Sequence, residues 1–487
     1  MHSSPVSPLS VLSRRLLRAA VLGSSSVLAL GAAVSCADDS AVIAPPAPVS
    51  APARTRAPAG PPAVDGGAVA PAPELPPVDV AGRVVDDAAN AVVGRSILIV
   101  DRRGMREEVL TDEGGGFHAG AVSPPYDVLV DAAPSGAVTT PLVFLGLVRP
   151  DPRLEVFERQ GPVTRAAPQT VHVGVKLPRC RDADAGCWIS VVTSSPSGSG
   201  GTAGSYVEGT EDAAFDVEHA FRTAAVGAGE TIDVHVLIGD ADYTQYAYAH
   251  VVGLAPKPGA PTDAGVVIPT PVPTSEPVSI AAAMNGAPDG WEWTLASELE
   301  LAGGTTLALR YEFSTTSAMR LPLLPGATWH VGAWVQHPPT PDRPWFHRSA
   351  QVWSGTLPLS TTNIALDVPA VPEPLRPSIE GAFSRRARAL VWDARAPALA
   401  SVVLVDLATG QQRFRAFTAD PLVSLRRLEA LGLPRIAQGA HVLDLTTTPG
   451  ATVDELTDPD DLHRRDRFDV HVAGGSTYQR FQFVVTR

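Results

Sequence analysis

The chain has 487 residues, of which 45% are hydrophobic and 18% charged, with 47 prolines and 42 glycines. Its 38 basic and 51 acidic side chains give a net charge of −13, which argues against nucleic-acid binding and against diffuse docking on anionic lipid, since both depend on Lys and Arg neutralising phosphates. Only Lys176 and Lys257 are lysines; the bias to arginine reads as genome base composition rather than as a binding patch.

The first element is a targeting segment. Ser13-Arg14-Arg15-Leu16-Leu17-Arg18 supplies positive charge, and a modestly apolar stretch from Ala19 to Ala33 follows. That stretch contains Ser24, Ser25 and Ser26 and is shorter than the roughly 20 residues a spanning helix needs. It ends in Ala33-Val34-Ser35-Cys36, which reads as a bacterial lipobox, with Ala33 where such motifs most often carry Leu. Residues 1–35 are therefore expected to be removed and Cys36 to carry lipid; the bland reading is an ordinary cleaved signal with a chance cysteine behind it. Arg14-Arg15 resembles part of a twin-arginine export signal, and the route stays open between that and general secretion. Cleavage removes Arg14, Arg15 and Arg18 and no acidic residue, which leaves −16. The expected location is the cell envelope, on a bacterial membrane (the outer one is favoured), facing the periplasm or the cell surface.

Residues 37–77 are dominated by Ala and Pro, as in Ala44-Pro45-Pro46-Ala47-Pro48, and lack apolar periodicity. They are expected to form a disordered, semi-rigid tether, which at ~3.1 Å per residue reaches about 130 Å.

From Val78 onward the pattern has period two, the mark of strands with one buried face. Ile232, Val234, Val236 and Ile238 alternate with Asp233, His235 and Leu237. Leu307, Leu309, Tyr311 and Phe313 alternate with Ala308, Arg310 and Glu312, and Phe481, Phe483 and Val485 alternate with Gln482 and Val484. Gly and Pro punctuate these runs, and the length exceeds one sandwich. The fold class is therefore all-β, with tandem β-sandwich domains behind the tether, expected at 78–167, 168–262, 263–371 and 372–487. Pro256 to Pro277 is either a linker or a strand-edge crossing; Val368 to Pro377 is a second hinge. Ser195 to Ser205, rich in Gly and Ser, reads as a flexible loop.

Two segments resemble known families. Residues 78–131 carry Val80-Ala81-Gly82-Arg83-Val84-Val85-Asp86, Ala91-Val92-Val93-Gly94, Thr111-Asp112-Glu113-Gly114-Gly115-Gly116-Phe117 and Pro125-Tyr126-Asp127-Val128-Leu129-Val130. They look like a carboxypeptidase regulatory-like, or transthyretin-like, domain. The resemblance implies a small, seven-stranded, non-catalytic sandwich in which Gly82 permits close packing and Phe117 enters the core. Residues 378–487 resemble a fibronectin type III domain, with Ala389-Leu390-Val391-Trp392-Asp393 as the core-Trp strand and a hairpin from Ser401–Leu407 to Gln412–Thr418. They depart from that pattern in a short helix expected between Pro421 and Leu433, stopped by Gly432, and in an acidic insert near Asp458.

No catalytic signature stands in the chain: Gly-x-Ser-x-Gly, His-Glu-x-x-His, a Walker loop and Ser-x-x-Lys are all absent. Cys180 and Cys187 flank six residues and, in an oxidising envelope, are expected to form a disulfide worth about 2.5 kcal/mol on the chain-entropy account. A metal site with Asp182 and Asp184 is the sharper alternative. His330, His337 and His347 form the densest histidine group but read as residues beside core tryptophans. Thr457-Asp458-Pro459-Asp460-Asp461 and Asp240-Ala241-Asp242 lack calcium-loop spacing and read as solvated turns. Six of the eight tryptophans fall between 291 and 353. Trp329 and Trp353 are expected in the core, whereas Pro344-Trp345-Phe346-His347 is the candidate exposed ligand-binding tip, since an aromatic face stacks on sugar rings.

These readings converge on a non-catalytic, lipid-anchored envelope protein that binds or scaffolds. It requires no cofactor and no metal, and its partners are the membrane through Cys36 and an envelope protein or glycan. The alternative is a carbohydrate-binding surface lipoprotein that uses the Trp-rich middle domain.

Overall fold

The computed structural model describes residues 75–487, except 87–88, 132–139, 157–167, 178–185, 197–199, 208–211, 221–229, 258, 286–289, 302–303, 338–342, 344–345, 385, 394–395, 460–473 and 487. The signal segment, Cys36 and the tether up to residue 74 lie outside that range. The described chain is a succession of β-strands with two short helices, and no helix in it is long and apolar enough to cross a membrane.

The first sandwich comprises β1 (Val78–Val85), β2 (Ser96–Val100), β3 (Arg106–Leu110), β4 (Gly116–Val122), β5 (Tyr126–Val130), β6 (Leu142–Leu147) and β7 (Arg153–Glu155). One sheet runs β4-β1-β7; the facing strands run β6-β5-β2-β3. Along β1, Val80 and Val84 point inward with no exposure. A Cβ on Gly82 would stand 2.3 Å from the Phe117 ring, so only glycine lets Phe117 cross β1 into the core. The turn before β4 is fixed by Asp112, whose Oδ1 accepts the N–H groups of Gly114 and Gly116 at 2.8 Å each.

The second sandwich holds β8 (Gln169–Val175), β9 (Cys187–Ser194), β10 (Gly200–Val207), β11 (Ala213–His219), β12 (Ile232–Asp240), β13 (Tyr246–Leu254), β14 (Thr262–Val267) and β15 (Thr270–Val272). Its sheets run β11-β8-β14 and β10-β9-β12-β13-β15. Two expectations change here. The supposed loop Ser195–Ser205 is strand from Gly200 onward, with Gly201 opposite Thr193. A Cβ on Gly201 would lie 2.0 Å from the Glu218 carbonyl oxygen, so this glycine serves close approach to β11 rather than flexibility. The proline-rich stretch is a strand-edge crossing: β14 pairs with β8 and β15 with β13. The boundary expected at 262/263 thus falls inside β14. Pro271 is tolerated because β15 is an edge strand.

The third sandwich holds β16 (Val278–Ala283), β17 (Glu292–Glu300), β18 (Thr306–Glu312), β19 (Thr316–Met319), β20 (Thr328–His337), β21 (His347–Trp353) and β22 (Asn363–Asp367). Its sheets run β19-β16-β22 and β18-β17-β20-β21. Leu307 and Leu309 are buried as their alternation predicts, but a register shift follows between Ser297 and Glu298. Past that bulge Tyr311 pairs opposite Ala296 and turns to Glu298, and Phe313 is 56% exposed.

The fourth sandwich holds β23 (Pro374–Arg376), β24 (Ala382–Ser384), β25 (Ala389–Trp392), β26 (Ala398–Asp406), β27 (Gln412–Thr418), β28 (Leu422–Ser424), helix α1 (Leu425–Ala430), β29 (Gly439–Pro449), helix α2 (Val453–Leu456) and β30 (Gly474–Thr486). Trp392 is buried in its core. Helix α1 fulfils the expected crossover: Ser424 caps it, Leu428 and Leu431 are buried, and Gly432 ends it at φ +87°.

One plan recurs. In each of the first three sandwiches the first strand pairs antiparallel with the fourth and parallel with the seventh. The remaining strands follow the order third-second-fifth-sixth, and in the fourth sandwich β27-β26-β29-β30 repeats that order when strands are counted from β25.

The sandwiches are not separate beads. A single thirteen-stranded sheet runs β18-β17-β20-β21-β30-β29-β26-β27-β6-β5-β2-β3, with β24 on β30. It passes through the third, fourth and first sandwiches. β21 joins β30 antiparallel, and β27 joins β6 in parallel with Arg415 opposite Leu142. The cores follow the ladder: Leu399, Phe417 and Val453 pack in the first sandwich's core, and Leu129, Val143 and Leu145 in the fourth's.

Candidate functional site

The Trp-rich region is the seam at which the third sandwich meets the fourth, along β20, β21 and β30. Strand alternation sends Trp329 inward, fully buried, with its indole N–H donating to the Pro358 carbonyl at 3.1 Å. Trp353 is buried on the opposite face, beside Gly332, and Trp334 meets it edge-on at 5.1 Å. The Trp334 indole donates to Gln351 Oε1 at 2.7 Å. Trp291 and Trp293 pack against the core of the third sandwich, and the Arg348 guanidinium sits 5.7 Å above the Trp291 ring while pairing with Glu373 at 2.7 Å. The five described tryptophans of this region are therefore used in packing and form no exposed row.

The residues expected at a loop tip are placed differently. Trp345 lies outside the described residues. Phe346 packs against the fourth sandwich's core and meets His337 edge-on at 5.6 Å. His347 is the first residue of β21 and lies 5.5 Å from the Tyr478 ring. Both are half-buried at the joint. Burial, then the charges of Arg480 and His337, hold the His347 pKa below the usual histidine range. Tyr478 donates to Asp444 Oδ1 at 3.3 Å, and Arg480 grips the same carboxylate at 2.6 and 2.7 Å. That carboxylate holds the Arg480 pKa above its ordinary value; burial, then Asp444, raises that of Tyr478.

The remaining candidates are dispersed. His330 pairs with Glu300 at 2.8 Å on β20, away from His337 and His347. Cys187 is buried at the start of β9, and Cys180 with Asp182 and Asp184 lies outside the described residues. Asp458 stands 3.5 Å from Arg149, and Asp240 accepts the backbone N–H and hydroxyl of Thr244 at 2.7 Å each, as turn-forming carboxylates do. Among the described residues no three His, Cys, Asp or Glu side chains are grouped to hold a metal ion. Among the described residues of the seam, carboxylate meets guanidinium or phenol and ring meets ring. Chemically this arrangement fixes two sandwiches together.

No family model matches the sequence, and no curated protein matches it. Among solved structures, the chain is similar to the Bacillus anthracis TIE protein at 8% identity and TM-score 0.15, over 61% of this chain and 50% of that one. It thus spans half the length of that protein. It is also similar to two B repeat units of the collagen binding protein of Staphylococcus aureus, at 10% identity, TM-score 0.12, 75% of this chain and 96% of that one. BcpA, the major pilin subunit of Bacillus cereus, matches at 9% identity, TM-score 0.14, 60% of this chain and 98% of that one. At such TM-scores the likenesses carry no functional argument, and the fold rests on the strand topology itself.

Proposed function

We propose that this chain is a non-catalytic, lipid-anchored protein of the bacterial cell envelope, in which four β-sandwiches, three of them stiffened by one shared sheet, form a scaffold held off the membrane by the 37–77 tether. The observation that carries this reading is the thirteen-stranded sheet. A backbone ladder through three sandwiches removes the hinges of a bead string, a geometry suited to presenting a surface rather than closing on a substrate. The aromatic and ionic groups of the Trp-rich seam are spent on each other, which supports a structural role there. The partner class remains an envelope protein or glycan, with Trp345 as the open candidate for the latter. The strand order of the first sandwich supports the carboxypeptidase regulatory-like reading of residues 78–131; the β23-β25-β28 sheet facing β27-β26-β29-β30 supports the fibronectin type III-like one. The Cys180–Cys187 disulfide belongs to the same proposal, and thiol trapping of the denatured, exported protein should find neither cysteine reactive.

The test of the anchor is Cys36→Ser. The variant should lose palmitate labelling and move from the membrane fraction to the soluble fraction. Unchanged membrane partition would remove lipidation from the account.

A further inference from the structure

The arginines, dispersed in sequence, converge at one place in the fourth sandwich. Three segments meet around a cleft of about 700 Å3: the turn from β24 to β25 with Arg386 and Arg388, helix α1 with Arg426 and Glu429, and the segment before β29 with Arg435 and Gln438. Each segment is pinned from below by an apolar residue next to its arginine. Ala387 lies between Arg386 and Arg388, Leu425 precedes Arg426, and Ile436 follows Arg435; all three pack against the fourth sandwich's core. The backbone is tied as well, since Leu425 N–H donates to the Arg388 carbonyl at 2.8 Å. The four guanidinium side chains are exposed.

Among the described residues, most of the charge there lacks an acidic partner. Glu429 is held by Arg435 at 3.0 Å, while Arg386, Arg388 and Arg426 pair with no carboxylate among the described residues. Elsewhere in the same sandwich arginines meet acids: Arg413 pairs with Asp406, Arg427 with Asp127 and Arg480 with Asp444. Four guanidiniums beside one carboxylate, in a chain of net charge −13, form a local exception to the overall field. Guanidinium forks match the oxygens of phosphate and bind them in pairs. A single carboxylate would leave most of this charge unmatched, whereas a group of closely spaced phosphates would meet all three segments.

We propose that the Arg386/Arg388/Arg426/Arg435 cleft is a binding site for clustered phosphate groups, presented either by a lipid headgroup or by a soluble phosphorylated molecule. The site is independent of the Trp-rich seam and does not require that Cys36 be lipidated.

The experiment uses the full-length chain made in the cytoplasm, so that nothing is attached to Cys36. Inorganic tripolyphosphate is the soluble probe, titrated calorimetrically. Vesicles of phosphatidylcholine with about 20 mol % phosphatidic acid, against phosphatidylcholine alone, are the membrane probe. Tripolyphosphate should bind at one site and weaken as salt rises from about 50 to about 300 mM. The double variant Arg388→Glu/Arg426→Glu should lose at least about tenfold in affinity with an unchanged melting temperature. Lys257→Glu, in the second sandwich, should retain it. Vesicle binding displaced by tripolyphosphate identifies a headgroup source, and tripolyphosphate binding without vesicle binding identifies a soluble one. No tripolyphosphate binding at low salt, equal loss in Lys257→Glu, or full retention in the double variant overturns the proposal.

Discussion

The joint between the first and fourth sandwiches and the joint between the second and third are built from different materials. At the former, β6 and β27 pair backbone to backbone, the Phe144 and Phe417 rings stack at 5.1 Å, and Arg427 closes on Asp127. Asp454 of α2 adds to it, its Oδ1 accepting the N–H groups of Val148 and Arg149 at 3.0 and 3.1 Å. At the latter, contact is chiefly through side chains. Arg310 lies 4.6 Å over the Tyr243 ring, and Val192, Leu237 and Tyr246 pack against the third sandwich's core. The backbone bonds there are few: among the described residues Arg320 N–H donates to the Tyr243 carbonyl at 3.0 Å, and along the Pro273–Ser275 connector Leu323 N–H donates to the Pro273 carbonyl and Ser275 N–H to the Leu321 carbonyl, at 2.8 and 2.9 Å. A ladder joint is lost only by breaking a register of hydrogen bonds together, whereas a side-chain joint can open while both sheets stay whole. Three sandwiches should therefore behave as one cooperative unit and the second as a semi-independent one.

The strongest blow to the first contrast is Phe144→Ala. Phe144 is 2% exposed and stacked on a ring from the other sandwich. Its truncation should cost about 3–5 kcal/mol, and denaturant titration with amide exchange should show the strands of the first and fourth sandwiches weakened together. A loss confined to the first sandwich would show that the joint is looser than its ladder implies.

Acid should separate the second sandwich. His235, on β12, is buried, hydrogen-bonded to Ser194 and Tyr248, and stacked 4.1 Å from His250. Burial, reinforced by His250 and opposed by Asp233, pushes its pKa down to about 4. The imidazole is neutral in the folded state, so its stabilising effect is complete above the unfolded value near 6.5. It is lost as pH falls from there towards 4, by on the order of 3 kcal/mol. His219, fully buried in the same sandwich, is shifted in the same direction by its burial. His347 is also held down, but at a joint that keeps its ladder. Calorimetry between those pH values should show the second sandwich melting apart from the rest, and His235→Gln should flatten that slope. A uniform acid loss across the molecule would contradict the contrast.

A smaller effect sharpens the same joint. Asp127→Ala removes the carboxylate that Arg427 closes on and that also accepts the Gly146 N–H at 3.0 Å. The loss should be about 1.5–3 kcal/mol, measured by chemical denaturation, and should appear in both sandwiches.

Much of the fold was legible because alternation states which face of a strand is buried. Phe481, Phe483, Val485 and Leu307 lie where period two puts them, and the Ser424-to-Gly432 crossover followed from its cap and stop. What escaped was whatever depends on a second layer or a neighbouring strand. His235 and Leu237 read as an outward face, yet both are buried because the second sandwich packs that face on Tyr248 and the third sandwich. Tyr311 left its expected face at a bulge that no local pattern announces. The β6–β27 pairing joins residues more than 270 positions apart, and parallel pairing leaves no trace in either strand alone. The arginine cleft escaped for the same reason: Arg386, Arg426 and Arg435 are neighbours only after folding.

The measurement that tests the central account most directly is native-state amide hydrogen exchange at the β6–β27 ladder. The Arg415 N–H donates to the Pro141 carbonyl at 2.9 Å, and the pairing continues to Thr418 opposite Leu145. If the first and fourth sandwiches are one sheet, the inward amides of residues 415–418 should exchange only with global unfolding, as slowly as those of β26. Exchange there as fast as in the exposed turn at 408–411 would show that the ladder is open in solution and that the sandwiches move separately.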